Sequence, residues 1–233
     1  SAGVCSPTAK KAVLNTSDLA AMLASGDIIV KSDSVARDIE IDTELSWASA
    51  RRLTLDAFRA VTFYKAIEVT GTGALSMTVN DGGKNGDLLF LGKGHIKFWD
   101  TASDLNIDGN SYLLAKDIKQ MTDEFTGGAT FVALSENVDA RGKRYRHAPV
   151  KELSGTFEGL GNKIANLKVQ EGNSSENAAL FSRITSSGVV RELNIDAADR
   201  SGTGTNDQLV GAAAGNNDGA ITNVHITNTI SVS

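Results

Sequence analysis

The sequence predicts an all-β chain coiled as a parallel β-helix, a solenoid of short strands, with a short N-terminal capping helix. Three observations carry this prediction. A nine-residue phrase with aliphatics at its fourth, seventh and ninth places recurs as GNKIANLKV at 161–169, SGVVRELNI at 187–195 and DGAITNVHI at 218–226, the second interval slightly longer than the first. Self-similarity on that scale is the mark of stacked repeats. From Ile28 onward aliphatic residues alternate with polar ones, the period of strands with one buried face. Finally, 23 glycines accompany only two prolines and 6% aromatics in 233 residues. That mix suits many short elements joined by tight turns better than a few long helices.

Residues 1–16 read as an N-terminal tail holding the single cysteine, Cys5. The stretch SAGVC has the outline of a lipoprotein box, but a mature lipoprotein begins at its cysteine, so a free thiol is the expectation. The capping helix is expected at 17–25: Ser17 or Asp18 can cap it, Leu19, Met22 and Leu23 share a face, and Gly26 stops it. Coils then occupy the rest of 17–120. The steps from Ile39 to Val61, from Leu53 to Leu75 and from Leu75 to Ile96 are nearly equal, so one lap of about 22 residues is implied. A three-sided coil of strands and turns uses about that much chain per circuit and returns the backbone beside itself for parallel pairing. The competing fold is an antiparallel sandwich joined by two-residue hairpins. Its only Asn-Gly pair, Asn85-Gly86, lies inside a glycine-rich excursion over 81–87.

Residues 121–151 interrupt the pattern and are expected to form a loop or packed-on excursion that ends in a basic run. Coils resume over 152–233, where the longer offsets imply longer turns. Ile221, Val224, Ile226, Ile230 and Val232 carry the strand pattern almost to the last residue, and nothing there resembles a cap. A coil that simply stops exposes unpaired backbone and an apolar core. The expected covers are further repeats of a longer parent chain, other subunits, or residues 1–16 of the next molecule added as a strand.

Two stretches resemble known families. Residues 39–79, with IEIDTELSW, RRLTLDA and AIEVTGTGALSMTV, resemble the passenger repeats of filamentous haemagglutinin-type adhesins secreted by the two-partner route. Residues 154–232, with SGTFEGLGNKIANLKV, ENAALFSRITSSGVVRELNI and LVGAAAGNNDGAITNVHI, resemble GLUG-motif repeats. The resemblance implies a right-handed parallel β-helix, secreted and displayed at a bacterial cell surface, with no shared catalytic residues. This chain has far fewer coils than such passengers and no long N-terminal secretion domain, so it is expected to be a fragment or a small relative.

At 41% hydrophobic the chain can bury a real core, and a net charge of −5 gives no general reason to expect nucleic acid or anionic membrane as partner. No run approaches the roughly 18 apolar residues of a membrane span, and no signal-peptide pattern heads the sequence, which reads as a soluble, processed or excised segment. Catalytic signals are sparse. No Gly-x-Ser-x-Gly elbow exists, Gly92-Lys93-Gly94 lacks the spacing of a phosphate loop, and His95, His147 and His225 lack metal spacing. Asn15-Thr16-Ser17 and Asn173-Ser174-Ser175 match the glycosylation triplet and read as chance.

No cofactor is expected, and calcium is the one candidate the sequence offers. Asp104 to Asn110 opens like an EF-hand loop, but its twelfth position is Ala115, and Leu105 and Ile107 alternate as a strand would. Strand plus turn is the expectation. Asp38, Glu40, Asp42 and Glu44 alternate with aliphatics on an outer face, where they could hold calcium or serve as paired acids on a polysaccharide. The expected role is a solvated face, because no basic partner stands nearby apart from Arg51 and Arg52 on the next side. The sharpest local feature is the basic run Arg141, Lys143, Arg144, Arg146 and Lys151, with Tyr145 and His147 among it. The plain reading of such a cluster is a solvated loop; as a site it suits sulfated or uronic surface glycans, phosphate-rich surface polymers, or an acidic face of a neighbouring subunit. The function expected is therefore an extracellular structural or adhesive module that is not an enzyme. The alternatives are a subunit of a head-to-tail surface filament and a carbohydrate-active β-helix enzyme.

Overall fold

The computed structural model describes residues 2–171, 177–202, 209 and 211–227. They are mostly strand and turn, with two short helices, α1 (Thr16–Ser25) and α2 (Ile118–Thr126). No helix among them is long and apolar enough to cross a membrane. The chain divides into two compact units, residues 1–114 and 115–233.

The first unit holds β1 (Gly3–Cys5), β2 (Ile28–Lys31), β3 (Ile39–Ile41), β4 (Leu45–Trp47), β5 (Arg52–Asp56) and β6 (Val61–Phe63). It continues with β7 (Ala66–Val69), β8 (Ala74–Thr78), β9 (Leu88–Phe90), β10 (His95–Phe98), β11 (Asp104–Ile107) and β12 (Asn110–Ala115). Every third strand pairs in parallel, giving β2-β5-β8-β11, β3-β6-β9 and β4-β7-β10. The alternation explains the core: Leu53, Leu75 and Leu105 stand in register and fully buried, as do Ile67 and Ile96 on another sheet. Phe63 and Phe90 stack with ring centroids 4.8 Å apart.

Laps in this unit are not of the uniform length expected. Leu75 pairs with Leu105, while Ile96 pairs with Ile67, so the step from Leu75 to Ile96 joins two different sheets. One pairing is antiparallel. β11 returns as β12 through Asp108-Gly109, whose φ angles of 50° and 81° are those of a two-residue hairpin turn. The cap of α1 is Asn15 rather than Ser17 or Asp18: its side-chain oxygen accepts from the Ser17 amide at 2.8 Å. Leu19 and Leu23 are buried, and Ser49 Oγ donates to the Leu23 carbonyl. Residues 3–5 of the expected tail pair in parallel with β2 of the same chain, with Gly3 beside Ile28.

The second unit holds β13 (Phe131–Leu134), β14 (Val138–Asp139), β15 (Val150–Leu153), β16 (Thr156–Glu158), β17 (Lys163–Glu171) and β18 (Phe181–Ile184). β19 (Val189–Arg191), β20 (Asn194–Gly202), β21 (Ala214–Asn217), β22 (Ala220–Thr222) and β23 (His225–Thr227) complete it. Again every third strand pairs in parallel, as β13-β16-β19-β22, β14-β17-β20-β23 and β15-β18-β21. The segment 121–151, expected as an excursion, contains most of α2 and contributes β13 and β14 to these ladders.

The repeat register also differs from the phrase alignment. Val190 pairs with Phe157 rather than lining up with Ile164, and Ile164 pairs with Ile195. The connection 159–162 separates the aligned strands in the first copy where the shorter 192–193 does so in the next, so matching the phrases end to end slips the register. The glycines before the strands mark the true repeat. A Cβ on Gly155, Gly188 or Gly219 would come within 2.2–2.3 Å of a carbonyl oxygen, those of Thr130, Leu153 and Gly188 respectively. Ile230 and Val232, read as the last strand, lie outside the described residues, as does the Asn173 triplet.

Candidate functional site

Between β14 and β15 runs the loop that carries the basic residues. Tyr145 forms a parallel bridge with Val169 of β17, and its amide donates to the Lys168 carbonyl at 3.1 Å. Its ring packs half-buried against the core, where burial pushes the phenol's pKa up. Successive side chains of an extended segment point to opposite faces. With Tyr145 turned inward, Arg144 and Arg146 both face solvent. The same bridge sets Lys168 level with Arg144, a neighbour distant in sequence that charge runs alone do not reveal.

Arg141 stands at the loop entrance, with Asp139 3.9 Å from its guanidinium and bonding its amide. Asn166 and the Arg141 amide hold the Asp139 carboxyl below its ordinary pKa. Lys143, Arg144, Arg146 and Lys151 are exposed and make no ion pair among the described residues. Four cations are thus left uncompensated on one segment of an acidic protein.

Lys151 also opens a groove of about 750 Å³ on the outer face of the β15-β18-β21 sheet. Glu152, Arg183 and Asn216 stand in register across its floor. Arg183 donates through Nε at 3.0 Å and Nη2 at 2.8 Å to one oxygen of Asp218, which raises the guanidinium's pKa. Asn177 is held by the Ser182 carbonyl, and Phe125, edge-on to Phe157 at 6.3 Å, forms an aromatic rim. An aromatic edge with carboxylate, guanidinium and amide groups on one floor is a lining that can bind polyhydroxyl chains.

The acidic row does not form a site of this kind. Asp38 is bound by Arg59 and by the Ala60 amide, and Arg59 foremost holds its carboxyl below the ordinary pKa. Arg59 is a basic partner that the sequence pattern does not reveal; Glu40, Asp42 and Glu44 stay exposed. In the calcium-like stretch, Asp108 accepts from the Val79 amide and Asn106 from the Gly109 amide, so these oxygens serve the hairpin.

A buried cluster has no counterpart among the sequence expectations. Glu158 is fully buried, accepts from Arg191 Nε at 2.5 Å and from the Leu160 amide at 3.1 Å, while Asn223 donates to Glu192. Burial pushes the Glu158 carboxyl up to about 7, against the pull of Arg191. No family model, curated protein or solved structure matches this chain.

Proposed function

We propose that the chain is a right-handed parallel β-helix module of an exported bacterial surface protein, structural and adhesive, which binds polyanionic glycans through its outer faces. The every-third-strand pairing within each unit supports the coil, since parallel neighbours one lap apart are what a three-sided coil produces. The observation that carries the adhesive reading is the strip Arg144–Tyr145–Arg146. A half-buried ring fixes its backbone while both guanidinium groups face solvent without an acidic partner among the described residues. Fixed, unpaired cations have no internal pairs to break when a sulfate or carboxylate arrives.

The test is retention on immobilised heparin and polygalacturonate over a salt gradient. Exposed charge pairs are screened over about 8 Å at physiological ionic strength, so binding is salt-sensitive. The Arg144→Ala/Arg146→Ala variant elutes at clearly lower salt with an unchanged far-ultraviolet spectrum. Equal retention of the variant and the parent protein removes the reading.

The groove favours a second reading, a carbohydrate-active enzyme, because the Glu152 carboxylate and the Arg183 guanidinium stand in register on adjacent strands of its floor, with Asp218 bound to Arg183 from the turn after β21. Incubation with acidic and neutral polysaccharides separates the two. New reducing ends or unsaturated products, lost in Glu152→Gln, favour the enzyme; none are expected of an adhesive module. The filament reading draws on Ile221 and Ile226, 39% and 43% exposed on β22 and β23. Sedimentation as a monomer at every concentration eliminates it.

A further inference from the structure

We propose a second saccharide site in the first unit, centred on Trp99 at the end of β10, for a neutral pyranose chain with equatorial hydroxyls. The two tryptophans make the case by contrast. Trp47 of β4 points into the core and is 5% exposed, whereas Trp99, one residue past the buried Phe98, points outward and is 63% exposed. Indoles are mostly buried because of their large apolar area. One left in water here is also held in place. Its Nε1 donates to Glu68 Oε2 at 3.2 Å, Lys97 Nζ stands 4.7 Å from the ring centroid, and its amide donates to the Val69 carbonyl. Beneath it, Ser46, Glu68 and Lys97 form an outward row in register across β4, β7 and β10.

A ring fixed in this way has little rotamer freedom left to lose when a ligand stacks on it. With Lys97 over one face and most of the ring exposed, the opposite face is open. Flat ligands that stack on indoles include organic cations, nucleobases and pyranoses. Lys97 repels a cation, which would otherwise be drawn to the ring's negative face. Glu68 repels the phosphates that accompany nucleobases, and likewise a uronate or sulfated sugar. What remains compatible with one ammonium and one carboxylate, mutually compensating, is an uncharged polyhydroxyl ring. Its apolar C–H face packs on the open face of the indole, while a rim hydroxyl reaches the Glu68 carboxylate, which sits at the Nε1 edge of the ring. All-equatorial substitution matters because axial hydroxyls interrupt that C–H face. This site takes an uncharged chain where the basic strip takes polyanions, and does not depend on it.

Tryptophan fluorescence tests the proposal on the intact chain. Trp99 emits as a solvated indole and Trp47 as a buried one. Cellohexaose and chitohexaose are titrated separately to about 10 mM, a range that captures dissociation constants near 1 mM. The expected result is a saturable blue shift with at least one of them, absent in Trp99→Ala, which keeps the Trp47 emission as its internal record of folding. Glu68→Ala, which frees the indole, is expected to weaken binding several-fold. Heparin is expected not to compete. The proposal is overturned if neither hexasaccharide shifts the emission saturably, if the shift survives Trp99→Ala, or if it is lost in Arg144→Ala/Arg146→Ala.

Discussion

The two units use the same pairing rule and both carry ion pairs on the outside, Arg183 with Asp218 in the second, but among the described residues the second also encloses one. In the first, carboxylates and bases pair between laps on the outside: Lys31 with Asp56 and Asp81, Arg52 with Asp104, Arg59 with Asp38. Water screens such pairs, and they contribute little each. In the second, Glu158 and Arg191 also bridge neighbouring strands in register, yet Glu158 is fully buried. The turns explain the contrast. The 159–162 connection folds back so that the Leu160 amide reaches Glu158 Oε1, with Leu160 itself at φ 53° and buried. A connection that folds back in this way can enclose a polar residue together with its partners. The consequence is opposite behaviour toward pH and toward loss of the basic partner.

Removing the partner is the largest expected effect. Arg191→Met strands Glu158 as a buried, uncompensated carboxylate, and breaking a buried pair in this way costs about 3–5 kcal/mol. Chemical denaturation at pH 8 reads that loss. At pH 5 it shrinks, because the stranded carboxyl takes a proton. Equal, small losses at both pH values would mean that Glu158 is solvated, and the contrast between the units would collapse.

Next in size is the pH dependence of the parent protein. Glu158 goes from an ordinary 4.5 to about 7 on folding. Between those values the folded state holds the proton more tightly, so stability falls as pH rises. The contribution is fully present below 4.5, lost by pH 7 and above, and on the order of 3 kcal/mol. Glu158→Gln, neutral throughout, is expected to flatten the stability profile in that window. A parent profile that rises with pH between 5 and 7 contradicts the burial argument.

How much of this was legible follows the same division between inside and outside. Burial writes itself into sequence as alternation, so the strands around Leu53, Leu75 and Ile67 could be read directly. Which strand pairs with which could be read only in part: Ile39 does pair with Val61 and Leu53 with Leu75, but three interleaved sheets share one aliphatic signature. Ile96 matched Leu75 in pattern yet pairs with Ile67. The glycines at 155, 188 and 219 were the better register marks, since close approach to a carbonyl admits nothing larger. Helix α2 had a readable start as well: Asp117 caps the Gln120 amide at 2.7 Å, and Gln120 accepts from the Lys116 amide. The Asp-x-x-Gln spelling precedes Ile118, Met121 and Phe125 at helical spacing. For the candidate site, charge made Arg144 and Arg146 visible. Their shared direction came from Tyr145, and Lys168 beside Arg144 came from pairing between strands far apart in the chain. The Glu158–Arg191 pair, which joins two successive laps, had no local signal at all.

The smallest expected effect belongs to Asp38, and its sign is what sharpens the comparison. The Arg59 guanidinium, with help from the Ala60 amide, holds this carboxyl below its ordinary 3.8. A carboxyl depressed on folding adds stability above its unfolded value and loses it as pH falls through the folded value. Asp38 therefore acts below about pH 4, where Glu158 is already mostly protonated in both states. The side chain is only partly buried and the pair is screened, so Asp38→Asn is expected to cost under about 1 kcal/mol at neutral pH. Raising the salt concentration is expected to shrink that loss further, whereas the Arg191→Met loss persists because its charge is shielded from solvent ions. Paired denaturation curves at low and high salt make the discrimination. If Asp38→Asn proves as costly as Arg191→Met and equally insensitive to salt, the outer pairs of the first unit work as buried ones do. The folded-back 159–162 connection would then no longer set the Glu158 pair apart from them.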